Sequence, residues 1–179
     1  MRCFIAVYLP EEIKNYLYDL QHKIGDKYAK VKWVAKKNLH KTLKFLGEID
    51  EEKLDLVKKT LNDIKFKRFE AGLNNIGWFP NDYRINIIWV DLKPERNILE
   101  LHDEIELRLG NLFERDERFS VHITLGRVKY VKNKERFLDF LRNIKVMDEK
   151  LVINEFSLIK SDLSKDGPKY SILERYPLL

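Results

Sequence analysis

The chain has 179 residues, of which 44% are hydrophobic and 35% are charged, so it can bury a core and is not a disordered segment. Its net charge of +5 favours a polyanionic partner such as RNA, although a lysine-rich surface also serves solubility alone. The single cysteine, Cys3, excludes a disulfide framework, and no apolar run approaches the roughly 18 residues of a membrane span. We therefore expect a cytoplasmic protein without a signal peptide.

The hydrophobic pattern predicts strands interleaved with four helices. Strands are predicted near residues 2–9, 31–35, 39–46, 69–76, 84–92, 119–128, 151–162 and 170–174. Helices are predicted to begin near Pro10, Asp50, Pro94 and Lys134. Several successive strands are close enough to pair antiparallel, so the order indicates an α+β fold rather than a parallel wound sheet. Glycine is scarce and no Gly-rich phosphate loop is present, which argues against a P-loop or dinucleotide site.

A repeated tetrad is the most informative feature of the sequence. Residues 40–43 read His-Lys-Thr-Leu and residues 122–125 read His-Ile-Thr-Leu. The chain holds only three threonines, and two of them stand two places after a histidine, which makes coincidence a poor explanation. One histidine on a β-strand, with a threonine two places later, is more often a structural feature. Two copies of this pattern favour a functional pair.

The alternation of side chains along a strand gives the tetrads a chemical meaning. His40 and Thr42 project from one face of their strand, as do His122 and Thr124 from theirs, over a hydrophobic base. Two such strands facing each other across a cleft suit phosphodiester cleavage, because one neutral imidazole accepts a proton while the other, protonated, donates one. The threonine hydroxyls can donate hydrogen bonds to non-bridging phosphate oxygens.

Other residues near the tetrads extend this hypothesis or limit it. Lys44 and Arg127 are candidates to offset charge that develops at phosphorus. A zinc site is the competing interpretation, but no third ligand is signalled and Cys3 is isolated. His22 lies off the apolar stripe of the first helix and His102 flanks the stripe of the third, so both are expected on the surface.

At these residues the sequence resembles the two-histidine (2H) phosphoesterase superfamily, and within it the 2′-5′ RNA ligase or RNA 2′,3′-cyclic phosphodiesterase family. The likeness covers nearly the whole chain. It is carried by both tetrads and by residues 2–6, 33–34, 44–47, 78–80, 87–90, 119–121, 126–127, 158–161, 167 and 170. One departure is Val121, where such proteins often carry proline before the second histidine. Valine continues a strand, so only a local change is expected.

The resemblance implies one domain over residues 1–179, built from two similar lobes around a central cleft. Each lobe would hold an antiparallel sheet with helices packed outside. It also implies metal-independent hydrolysis of 2′,3′-cyclic phosphate ends to 2′-phosphates, with 2′-5′ ligation as a related reaction and no cofactor. The partner would be RNA with cyclic phosphate ends, such as tRNA halves, and a monomer is our default. By analogy, His40 is the proton donor, His122 is the proton acceptor, and Thr42, Thr124 and Arg127 bind the phosphate.

Two positions and two alternatives stay open at this point. Strict alternation sends Arg127 to the face opposite His122, whereas the family resemblance implies an arginine in the site here, so we predict that the strand bulges or ends around Gly126. Phe45 occupies the equivalent place in the first motif, where it can stack on a base or pack in the core. The chemistry also fits a phosphodiesterase of small cyclic nucleotides. An RNA-binding module without catalysis is less favoured, because binding alone needs no paired acid and base.

Overall fold

The structure is a computed structural model that describes residues 1–179 and contains nine strands and four α-helices. The strands are β1 (Arg2–Tyr8), β2 (Ala29–Trp33), β3 (His40–Glu48), β4 (Phe69–Asn81), β5 (Arg84–Lys93), β6 (His122–Val131), β7 (Lys150–Ile153), β8 (Glu155–Ser164) and β9 (Gly167–Pro177). The helices are α1 (Glu11–Ile24), α2 (Glu51–Asn62), α3 (Arg96–Leu109) and α4 (Lys134–Asn143), and a 3-10 turn spans Lys36–Asn38. The predicted order is confirmed, except that the predicted strand at 151–162 is two strands.

The strands form two antiparallel sheets. The first sheet has the order β3-β1-β8-β9 and the second has the order β2-β6-β5-β4-β7. Each sheet takes strands from both halves of the chain, since β8 and β9 join the first sheet and β2 joins the second. The predicted α+β fold with two antiparallel sheets is confirmed.

The helices cover one face of each sheet because each has an apolar stripe at helical spacing. Helices α2 and α3 pack against each other and on the first sheet, whereas α1 and α4 pack on the second. In α1 the stripe is buried at Ile13, Leu17, Leu20 and Ile24, and each such side chain contributes about 1.5–3 kcal/mol of hydrophobic stabilisation. Asp50 caps α2, as predicted, by accepting a hydrogen bond from the Lys53 amide at 2.8 Å. No helix has both the length and the apolar character needed to cross a membrane.

The other face of the first sheet is not part of the main core. Phe4, Ala6 and Ile159 form a small separate cluster there, against which Tyr8 and Tyr170 pack. This inner face carries side chains from β1, β3 and β9, and it is where the sheet meets the second sheet. A site between the sheets can therefore be lined by polar side chains without disrupting the core.

Candidate active site

Strand β3 carries the first tetrad and has a bulge at its leucine. His40 is paired with Tyr8 and Thr42 with Ala6, but the next pair joins Ile5 to Lys44, so Leu43 has no partner. The extra residue shifts the alternation by one. Phe45 thereby returns to the face that carries His40, where 65% of its surface is exposed. The core-packing alternative for Phe45 is wrong.

Strand β6 repeats this geometry at the second tetrad. His122 and Thr124 are paired with residues of β5, and the next pair joins Ile88 to Gly126, which leaves Leu125 without a partner. The predicted bulge is confirmed and lies one residue before Gly126. Arg127 therefore projects from the same face as His122 rather than the opposite one.

Gly126 permits the close packing of β2 beside this bulge. A Cβ atom at Gly126 would lie 2.6 Å from Cγ1 of Val31 and 2.7 Å from Cε3 of Trp33. Both distances are shorter than van der Waals contact allows, so any larger residue would push β2 away from β6. The register that positions Arg127 depends on this glycine.

The two tetrads meet at a cavity of about 430 Å³ between the sheets. Strands β3 and β6 approach each other until Cα atoms lie within 8 Å. The predicted side chains that line the cavity are His40, Thr42, Phe45, His122, Thr124 and Arg127. The prediction that both motifs face one cleft is confirmed.

His40 is held by hydrogen bonds on both ring nitrogens. Its Nδ1–H donates to the Asn38 carbonyl at 2.6 Å, so the neutral ring carries its lone pair on Nε2, which lies 2.9 Å from Oγ1 of Thr42. The rings of Phe4 and Tyr170 flank it at centroid distances of 5.1 and 5.5 Å. Burial lowers the pKa of His40 to about 4, although the hydrogen bond to Asn38 opposes that shift.

His122 has a similar arrangement on the second sheet. Its Nδ1 lies 2.6 Å from the hydroxyl of Ser120, two residues earlier, just as His40 bonds two residues earlier. With Nδ1–H donating to Ser120, Nε2 is free to accept a proton. Phe79 packs edge-on against the ring at 5.0 Å. Burial lowers the pKa of His122 to about 4, and the positive charge of Lys41 is the next largest cause.

Lys41 is a site residue that the sequence analysis did not assign. It lines the cavity, is only 3% exposed, and its ammonium group lies 4.1 Å from the centroid of the Phe119 ring while donating to the Thr42 carbonyl. Burial lowers the pKa of Lys41 to about 7, against the attraction of Asp116. The sequence contained one indication of this burial. Lys41 lies between His40 and Thr42, so strand alternation turns its side chain to the core side of β3.

The expectation that Lys44 neutralises charge at phosphorus is wrong. The bulge turns Lys44 to the core face, where its Nζ lies 2.8 and 2.9 Å from the two carboxylate oxygens of Glu106 and 2.9 Å from the Glu114 carbonyl. Both charged side chains are 2% exposed. Lys44 thus holds α3 against β3 and does not line the cavity.

The two remaining histidines differ in their surroundings. His102 is 3% exposed rather than on the surface, because it stacks on Phe119 at 3.7 Å and its Nδ1–H donates to the Leu43 carbonyl at 2.8 Å. The surface assignment of His102 is therefore wrong. His22 is exposed as predicted, and its Nδ1 bonds the Tyr18 carbonyl at 2.9 Å. His102 supports the strand segment that carries the first tetrad.

The cavity contains acid–base and phosphate-binding groups but no metal-ligand cluster. No group of three or more His, Cys, Asp or Glu side chains lies close enough together to hold a metal ion. The two imidazoles, the two threonine hydroxyls and the guanidinium of Arg127 can together transfer protons and bind an anion, and a second arginine, Arg118, also lines the cavity. That set suits a reaction at a phosphate group.

The LigT-like phosphoesterase family model matches the chain twice, at residues 7–89 and 90–170, so each match contains one tetrad. The chain belongs to this family. It is 37% identical to the RNA 2′,3′-cyclic phosphodiesterase of Methanocaldococcus jannaschii, over 98% of this chain and 100% of the relative. It is 34% identical to the protein of the same name from Archaeoglobus fulgidus, over 97% and 98% of the two chains. The predicted membership of the 2H phosphoesterase superfamily is confirmed.

Solved structures share the complete fold. A protein from Thermus thermophilus superimposes with a TM-score of 0.81 at 28% identity, over 99% of this chain and 97% of that one. The LigT protein of E. coli in complex with 3′-AMP superimposes with a TM-score of 0.77 at 25% identity, over 99% and 97% of the two chains. The arrangement of the two sheets is thus common to the family members.

Proposed function

We propose that this protein is an RNA 2′,3′-cyclic phosphodiesterase that hydrolyses cyclic phosphate ends to 2′-phosphates. The observation that carries the proposal is that His40 and His122, each with its threonine, line one cavity from two different sheets. Two family matches, each containing one tetrad, support it. Relatives named RNA 2′,3′-cyclic phosphodiesterase along nearly the whole chain support the choice of substrate.

In the proposed reaction, Nε2 of His122 takes a proton from water while the water oxygen forms a bond to phosphorus. The bond between phosphorus and O3′ breaks, and His40 transfers its proton to O3′. The phosphate stays on O2′, so the product is a 2′-phosphate with a free 3′-hydroxyl. The proton then passes from His122 to His40 through solvent, which restores the starting state.

The surroundings of the two imidazoles favour His122 as the base. At His122 the charge of Lys41 lowers the pKa more than the Ser120 hydrogen bond raises it. At His40 the order is reversed, since the Asn38 hydrogen bond raises the pKa more than Lys41 lowers it. A donor hydrogen bond to a carbonyl stabilises an imidazolium, so His40 is the better proton donor.

The negative charge of a bound phosphodiester favours the protonated form that His40 needs in order to act as the acid. Both imidazoles are neutral near pH 7 in the free protein because their pKa values are about 4. A negative phosphate within about 4–6 Å favours the protonated form and raises the pKa of His40. The hydroxyls of Thr42 and Thr124 and the guanidinium of Arg127 can then hold the non-bridging oxygens.

Several finer points belong to the same proposal. We infer one domain over residues 1–179, because each sheet takes strands from both halves of the chain. A monomer, a cytoplasmic location, tRNA halves as substrates and 2′-5′ ligation stay predictions. Small cyclic nucleotides are the alternative substrate class, since the acid–base pair needs only the cyclic phosphate.

Product mapping on an RNA oligonucleotide with a 2′,3′-cyclic phosphate end tests the proposal. We expect a 2′-phosphate product, turnover that survives EDTA, and a loss of about 10²–10⁴-fold in His40→Ala and in His122→Ala with little change in folding. His22→Ala is the matched control and should keep full activity, since His22 is exposed and outside the cavity. Full turnover in both single active-site variants would reject the mechanism.

A further inference from the structure

A second cavity, of about 580 Å³, lies beside His40 on the inner face of the first sheet. Its lining combines basic and aromatic side chains and contains no acidic residue. The lining includes Tyr8, Lys37, Asn38, Lys169, Tyr170 and Arg175. It is distinct from the catalytic cavity but shares Tyr170 with it, so the two form adjoining parts of one surface.

The charges of this cavity are available to an anion. Lys37 and Lys169 are exposed, and neither has a carboxylate within 4 Å. Arg175 pairs with Glu155 at 2.6 Å through one nitrogen of its guanidinium, which leaves further N–H groups. Two free ammonium groups beside aromatic surface are typical of sites for single-stranded nucleic acid, where cations bind phosphate and rings contact bases.

Asn38 connects the cavity to the proposed acid. Its carbonyl accepts the Nδ1–H of His40, and its side-chain amide donates to the Pro168 carbonyl at 3.0 Å. The turn that carries Lys37 and the hairpin that carries Lys169 are thereby tied to each other and to His40. The backbone segments that carry the two lysines are therefore held in a defined position relative to His40.

We propose that this cavity binds the nucleotide that precedes the cyclic end of an RNA strand, an inference that rests on the function proposed above. In the terminal ribose, C4′ is bonded to C3′, and the strand continues from C4′ through C5′ to the preceding phosphate. The RNA strand thus leaves the active site on the side of O3′. In the proposed mechanism, this is the side of His40, which protonates O3′. Lys37 and Lys169 are placed to bind that preceding phosphate, and Tyr8 offers ring surface to its base.

A third cavity, of about 330 Å³, offers the alternative path on the other side of Tyr170. It contains Lys32 and Lys129 but also Asp166, and it is lined by Thr124 and Arg127 in addition to Asn38 and Tyr170, which it shares with the second cavity. An RNA strand bound in the third cavity would leave the active site on the side of the attacking water, away from O3′. The stereochemistry of the ribose and the absence of acid in the second cavity therefore both favour the His40 side.

The test compares two substrates in the same protein. 2′,3′-cyclic AMP occupies only the catalytic cavity, whereas an oligonucleotide with a 2′,3′-cyclic end reaches both. In Lys37→Ala/Lys169→Ala we expect kcat/KM to fall on the order of tenfold for the oligonucleotide and to stay unchanged for cyclic AMP. The slope of log(kcat/KM) against log salt should become shallower by about 0.7, because one phosphate contact is lost. Lys59→Ala, on α2, is the control for charge loss far from the cavity.

Each outcome has a separate meaning. If the wild-type protein hydrolyses neither substrate, the proposed function fails. If it hydrolyses both and the double variant keeps its oligonucleotide kcat/KM and salt slope, the second cavity does not bind RNA and this inference is overturned. A selective loss in Lys32→Ala/Lys129→Ala instead would place the strand in the third cavity and would also overturn it.

Discussion

Lys41→Met should move the pH profile of the enzyme to higher pH. The ammonium group of Lys41 is buried in the wall of the active site, and its charge lowers the pKa of both His40 and His122. Methionine has a similar length and no charge, so it can fill the space beside Phe119. Removing a positive charge makes protonation of a neighbouring imidazole easier, and both histidine pKa values should therefore rise.

The size of the effect follows from Coulomb's law. Two unit charges interact by about 4 kcal/mol at 4 Å for an effective dielectric constant of 20, and by about 2 kcal/mol at twice that distance. Since one pKa unit corresponds to about 1.4 kcal/mol, the interaction at the larger separation raises a histidine pKa by about 1.5 from its value of about 4. Above pH 7 the two proteins should converge, because burial lowers the pKa of Lys41 itself to about 7.

The assay is kcat/KM for 2′,3′-cyclic AMP as a function of pH, with imidazole titration by NMR. The active form has one protonated and one neutral histidine, so kcat/KM of the wild type should peak near pH 4 and fall about tenfold per pH unit above the peak. In Lys41→Met the peak should lie about 1.5 pH units higher, whatever its height. The two apparent pKa values belong to the histidine pair as a unit. Lys59→Met is the control. An unshifted profile with unshifted imidazole titrations would refute the electrostatic role of Lys41.

Two further predictions concern the other basic residues of the motifs. Lys44→Met leaves the buried Glu106 carboxylate without its lysine partner, so the free energy of unfolding should fall by about 3–5 kcal/mol in urea denaturation. Adding Glu106→Leu should recover most of that loss, and an equal loss in the single and double variants would contradict the ion-pair role. Arg127→Ala should lower kcat/KM by about 10²-fold. Arg127→Lys should recover only part of that activity, because lysine lacks the planar guanidinium that binds two phosphate oxygens at once. Full activity in the alanine variant would show that Arg127 does not act in the site.

The spacing of residues within each tetrad was sufficient to predict that the two histidines and two threonines belong to the site. The spacing of each histidine and threonine defines a common strand face, and this face survives in the folded protein because both residues precede the bulge. The bulge of β6 was predictable once the family resemblance placed Arg127 in the site, since Arg127 could then join His122 only through an extra residue. Strand alternation is a property of consecutive residues, and it does not depend on which distant segment packs nearby.

The buried charges could not be predicted in the same way. Lysine and histidine side chains are seldom fully buried, yet Lys41, Lys44 and His102 are each no more than 3% exposed. Their burial results from the packing of α3 and residues 114–120 on β3, which are contacts between segments about 60–80 positions apart. Periodicity carries no information about such partners, and burying a charge is favourable only when the partner is in place.

The two bulges also explain how a repeated motif yields unlike halves. Because an extra leucine follows each threonine at the same point, Phe45 and Arg127 occupy equivalent positions on the two strand faces. A symmetric pair of arginines would place two cations at one phosphate, whereas an aromatic ring on one side leaves that side able to contact a base. Under the proposed function, the half with Arg127 binds the phosphate and the half with Phe45 faces the nucleoside. In the same proposal, this asymmetry places His40, as the acid, next to the ribose and the adjoining basic cavity.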